Sequence, residues 1–290
     1  AALTTDQAVA LTTAQAAALK STQVAALSTD AFAALQTADL AAMQAASLSG
    51  MSTNQAAALT TDQAVALTTL QAASLKSNQI AALSTDAVAA LQTADLVAIT
   101  PAAIGALTTN QASSLTTTQV AALKSAQLAA LTTAAWTALT TDQIAALTTA
   151  QAASLSAARA ALLTTTQISA FETADLAALT VAAVASLSTA QVAALTTDQV
   201  AGLRTAQLAA LTTAALAAMT TDQIVALTTA QAASLTAARL ALMTTAQIAA
   251  FETADIAALT STAVTGLTTN QVAALSTDQA SSLTTAQAAA

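Results

Sequence analysis

Carboxylates placed three residues apart are the features of this chain best suited to chemistry. Glu172 with Asp175, and Glu252 with Asp255, are its only close acidic pairs. Two neighbouring carboxylates can act as acid and base, or can hold a cation. Both uses need partners that are scarce here. There is no His, Cys or Tyr, which excludes imidazole bases, thiol nucleophiles, Cys/His metal sites and disulfides. Four glycines supply no phosphate-cradling loop, and no Asp-rich calcium loop occurs. The pairs therefore read as helix-start charges that answer Arg159 and Arg239 in the preceding coil. No catalytic, cofactor-binding or metal-binding residue is assigned, and no cofactor or enzymatic activity is expected.

Charge narrows the classes further. A net charge of −8 and a pI near 4.1 oppose binding to a phosphate backbone, which needs Lys and Arg to displace counterions. Mean hydropathy is +0.65, yet Thr-Gln clusters recur every eight residues, so no run of about 20 apolar residues exists to span a membrane.

The elements that must carry these residues follow from an octad repeat. Large apolar anchors stand at Leu3, Leu11, Leu19, Leu27, Leu35, Met43 and Met51, and continue in register through Ile99, Phe171 and Phe251 to Leu283. The consensus is Leu-Thr-Thr-x-Gln-(Val/Ile/Leu/Ala)-Ala-Ala. Longer blocks are copied within it: Leu139–Leu179 recurs at Met219–Leu259, ten octads on, and the block at Leu19 recurs at Leu75, seven octads on. With no break in register, residues 1–290 read as one uninterrupted array of 36 octads. It starts and stops in mid-pattern, as a segment of a longer protein would.

With the anchor numbered 0, position 1 reads as a helix N-cap. Ser or Thr occupies it in 27 octads, and Gln at position 4 in 22; together they spell a capping box. The anchor and position 5 then form a hydrophobic staple. Pro101, the sole proline, falls on the first helical residue, where its missing N–H costs nothing. Nine octads have Lys20, Gln36, Gln44, Lys76, Gln92, Lys124, Glu172, Arg204 or Glu252 at position 1. Eight of them keep Ser or Thr at position 2, which suggests a cap that slides by one residue.

The fold expected is an all-α solenoid of short capped helices, one per octad. Its rival is a β-solenoid, disfavoured by Ala at positions 6 and 7. Helices this short are stable only when stacked. Positions 0 and 5 should form the core, with Phe32, Trp136, Phe171 and Phe251 in it. The small residues at positions 6 and 7 should let helices approach closely. Each basic residue is followed two octads on by an octad containing an acid, as Lys20 is by Asp39 and Arg204 by Asp222. That spacing predicts a coil of two octads.

The octads resemble the Leu-Thr/Ser-x-x-Gln-(Val/Ile)-Ala-Ala-Leu arrays of very large bacterial surface and secreted proteins of adhesin-like type. LTTDQIAALTTAQ at Leu139–Gln151 carries the likeness. The resemblance implies an extracellular or cell-surface location. The function expected is structural: a rod, stalk or filament that self-associates end to end or laterally. The alternative is a repetitive surface in which Thr rows bind ice or a surface polysaccharide.

Overall fold

The computed structural model describes residues 3–290, and each octad in it is one helix of four to six residues, α1 (Thr5–Val9) to α36 (Thr285–Ala288). Among the described residues there is no strand, so the β-solenoid is excluded. The Thr-x-x-Gln word explains each start. At α18 (Thr141–Ala145), the Thr140 hydroxyl accepts the Gln143 N–H at 3.2 Å, while Gln143 Oε1 accepts the Thr140 N–H at 2.7 Å. One pair of side chains thus satisfies backbone donors that the helix start would otherwise leave orphaned. Pro101 opens α13 (Pro101–Ile104), as its chemistry requires.

The cap does not slide. Where Lys124 stands at position 1, α16 (Ser125–Ala130) begins at the usual residue, with no side-chain cap. The Gln127 N–H turns instead to the Lys124 carbonyl at 2.9 Å, and Gln127 Oε1 still accepts the Lys124 N–H at 2.9 Å. Lys20, Lys76 and Arg204 behave alike. The register holds without the hydroxyl, and it holds too where both halves of the box are missing, as with Gln44 and Ser47 at α6 (Ala45–Leu48).

Corners are built from two extended residues, the anchor and the cap. Leu19 lies at φ −61°, ψ 135° and Lys20 at φ −89°, ψ 158°. No described residue has positive φ, so the path bends without the left-handed glycine that commonly ends a helix.

The helices pack in two compact units, the first ending at Leu147 and the second running from Thr148 to Ala290. Within each, a helix stacks on the one three places away. In the first unit α2 (Thr13–Ala18) meets α5 (Thr37–Ala42), and α9 (Thr69–Ala73) meets α12 (Thr93–Ala98). In the second, α22 (Thr173–Ala178) meets α25 (Thr197–Gly202), and α29 (Thr229–Ala233) meets α32 (Thr253–Ala258). One coil is thus three octads, not the two expected from charge spacing. Two helices per coil would require each two-residue corner to reverse the chain. A pair of extended residues turns it by only a third of a revolution.

The core is as the octad predicts. Anchors and position-5 residues are buried throughout the interior of each unit, and Phe32, Trp136, Phe171 and Phe251 lie among them. Each fully buried Leu, Ile or Val contributes roughly 1.5–3 kcal/mol. Position 7 of one helix rests on position 2 of the helix three earlier. A Cβ on Gly50 would come within 2.5 Å of the Ser21 carbonyl oxygen, and Ser186 Oγ donates to the Ala157 carbonyl at 2.9 Å. Small residues let the coils approach at backbone distance there, and the two large exceptions at position 7, Leu162 and Leu242, are exposed.

Candidate functional site

Within each unit, one column of side chains joins a coil to the next. Glutamine at position 4 is buried in every octad that has it, except Gln7, Gln15 and Gln23 of the first coil. Its Oε1 caps its own helix. Its Nε2 reaches the preceding coil and donates to two carbonyls there. Gln111 Nε2 lies 2.8 Å from the Ile80 oxygen and 2.6 Å from that of Leu83. Gln231 reaches Val200 and Leu203 at 2.8 and 2.6 Å. One acceptor lies in the last turn of a helix, where it also takes the N–H of the following anchor, and the other is the carbonyl of that anchor in the corner. A single amide therefore closes the start of one helix and the end of another, and buried amides need such partners.

Three kinds of polar residue replace this glutamine with a different chemistry. Arg239 takes over the donor role: its guanidinium donates to the carbonyls of Leu208 at 3.2 Å, Leu211 at 2.7 Å, and Ala209. Arg204, a cap residue, likewise donates to the Leu179 carbonyl at 2.8 Å. Partial burial lowers the pKa of Arg159 and Arg239 from the ordinary guanidinium value. At Ser47, the second replacement, Oγ donates to the Leu19 carbonyl at 2.5 Å.

Aspartate, the third, reverses the polarity. Asp39, Asp95, Asp175 and Asp255 are all buried at position 4. Each accepts from a threonine one coil earlier: Thr13 to Asp39 at 3.0 Å, Thr69 to Asp95 at 2.8 Å, Thr149 to Asp175 at 2.6 Å, and Thr229 to Asp255. A second carboxylate oxygen, Oδ2, has no hydrogen-bond partner in Asp39 and Asp255. Burial raises the Asp255 pKa above the ordinary value; the Thr229 hydroxyl opposes this, and the nearby Glu252 charge adds to it.

The acidic pairs singled out from the sequence therefore sit at a cap and at this seam. Glu252 is exposed at the cap of α32, and Asp255 is buried three residues on. Arg239 does not answer them; it is spent on backbone carbonyls. Among the described residues, no three of His, Cys, Asp and Glu converge to hold a metal ion. The cap hydroxyls of the Thr rows are occupied too, since most accept a backbone N–H. What sequence reasoning missed is the inter-coil half of the glutamine, whose partners lie in another coil and have no local signature.

A family model described as the ALTTAQ repeat matches residues 32–69, 88–125, 120–157, 168–205, 200–237 and 248–285. The chain belongs to the ALTTAQ repeat family. This is a tandem octapeptide-like repeat family typical of large bacterial surface and secreted adhesin-like proteins, and it places the chain outside the cell or on its surface. The ALTTAQ array is a repetitive, all-helical protein among its described residues. No helix among the described residues is long and apolar enough to cross a membrane. No curated protein and no solved structure matches the chain.

Proposed function

We propose that this ALTTAQ array is a structural element, a stack of coils that serves as a rigid rod or stalk on a bacterial surface and associates with further copies end to end. The observation that carries the reading is the repeated amide seam, because a coil presents donors on one face and acceptors on the other. In the first coil, the exposed Gln15 and Gln23 stand beside the half-buried Leu3, Leu11 and Leu19. At the last coil, Leu267, Val272, Leu275 and Leu283, with Val264 of the helix before it, surround a second depression. The carbonyls of Val264 and Leu267 there stand where a following glutamine Nε2 finds its acceptors elsewhere in the array. An amide-bearing face and a carbonyl-bearing face of matching apolar lining fit one another. The same geometry accepts further octads of one chain.

Small-angle scattering over a concentration series tests both parts. An elongated particle whose length grows in steps with concentration is expected. A compact globule overturns the rod, and a particle of constant mass at high concentration overturns the end-to-end association.

A further inference from the structure

We infer that the first unit of one copy docks side by side on the second unit of another copy, through a basic strip on the first and an acidic strip on the second. Both strips follow from the three-octad coil, which stacks every third helix and so divides the octads of a unit among three faces. In the first unit, α7 (Thr53–Ala57), α10 (Ser77–Ala82), α13 (Pro101–Ile104) and α16 (Ser125–Ala130) stack in turn on one face. The charged residues of these four octads are Lys76 and Lys124, both exposed. Asp6 and Asp30 share the face but lie two or more coils before Lys76. In the second unit, α22 (Thr173–Ala178), α25 (Thr197–Gly202) and α28 (Thr221–Val225) stack likewise. Their octads present Glu172, Asp198 and Asp222, all exposed, and hold no base.

The spacing matches as well as the sign. Lys76 and Lys124 stand two coils apart, and so do Glu172 and Asp222. With about 8–10 Å between stacked helices, each pair spans about 16–20 Å. When two stacks meet face to face and run in opposite directions, their facing helices run the same way. Cap position then lies opposite cap position. Lys124 meets Glu172, while Lys76 meets Asp222, which stands two residues past its cap. That offset is about 3 Å along a helix, within the reach of a lysine. Asp198 stands between, opposite the uncharged octad of Pro101, and adds to the field that draws both lysines.

Charge complementarity names the occupant. A chain of net charge −8 repels its own kind unless opposite strips are aligned, and each copy carries one strip of each sign. Arg204 and Arg239, by contrast, point their guanidinium groups at backbone carbonyls of their own unit. Exposed ion pairs are individually weak, so the contact is reversible and salt-dependent. Its main effect is to fix which faces meet. It uses residues other than the amides and apolar lining of the end faces.

The test is sedimentation equilibrium of the full chain at about 10 mM and about 1 M sodium chloride, between which the screening length falls from about 30 Å to about 3 Å. Association that is stronger at low salt is expected. Lys76→Glu/Lys124→Glu makes both strips acidic, and Glu172→Lys/Asp198→Ala/Asp222→Lys makes both basic. The cap changes only exchange residues that Lys20 and Glu252 show to be tolerated there. Each variant alone should lose low-salt association by about tenfold, as two pairs give way to like charges. An equimolar mixture of the two should recover it. Both variants stay net negative, so bulk attraction does not imitate that recovery. End-to-end growth is the part that persists at high salt and in each variant, so failure of that reading is seen separately. Equal association at the two salts would overturn the proposal. So would full low-salt association of either variant alone, or a mixture that associates no better than its components.

Discussion

In the first unit Asp39 and Asp95 follow Gln36 and Gln92, whereas in the second Asp255 follows Glu252. The helices and threonine partners are otherwise alike. In the first unit the amide lost at position 4 reappears at position 1, where it reaches one carbonyl of the coil below. In the second unit that amide is a carboxylate. The comparison teaches that the backbone path tolerates any side chain of suitable length at the seam. What changes is the sign of the charge facing the carbonyls, and with it the local stability.

The largest expected effect comes from breaking an ordinary seam for reference. Gln111→Ala removes the donor to Ile80 and Leu83 and the acceptor for the Thr108 N–H. A loss of about 1–3 kcal/mol is expected from groups left buried and unpaired, measured by denaturant unfolding. Asp255→Gln runs the opposite way, since it installs the missing donor. It should stabilise the second unit by about 1 kcal/mol at neutral pH, and a decrease would show that the carbonyls there are already satisfied.

The pH dependence sharpens the same contrast. The Asp255 carboxyl holds its proton more tightly in the folded chain than in the unfolded one. The folded state therefore binds more protons in the window above the ordinary aspartate value. Stability falls as pH rises through that window and is recovered as pH falls. The advantage of Asp255→Gln over the parent should accordingly shrink between neutral pH and about pH 4. An advantage that stays constant across this range contradicts the reading. The smallest effects belong to the cap. Glu252→Gln should gain a few tenths of a kcal/mol, and Gln36→Glu should lose as much, as exposed polar changes do. Equal signs for the two would break the comparison.

Much of this architecture is legible in the octad. The capping box, the Pro101 position, the buried Trp136 and Phe32, and the small residue at Gly50 all rest on contacts within one octad or on residue size. The number of octads per coil is not legible. An exact repeat places like residues above like for any whole number of octads, so periodicity alone is silent. The copied blocks give no help, because offsets of seven and ten octads both leave one over when divided by three. A copied octad therefore lies on a different face of the coil from its original. The charges mislead for a related reason. Arg239 and Arg204 donate to carbonyls and Asp39 accepts from Thr13, so the acid–base spacing reflects copied words rather than stacked ones. The seam is hidden from sequence because half of each glutamine's work is done a full coil away.

Cysteine pairs test the three-octad coil most directly, since the chain has no cysteine of its own. Ser74 Oγ lies 3.1 Å from the Ala45 carbonyl oxygen, one coil below. In Ala45→Cys/Ser74→Cys, mild oxidation should form an intramolecular disulfide. In Thr53→Cys/Ser74→Cys, which would be adjacent if two octads made a coil, it should not. Cross-linking of the second pair and not the first would contradict the account.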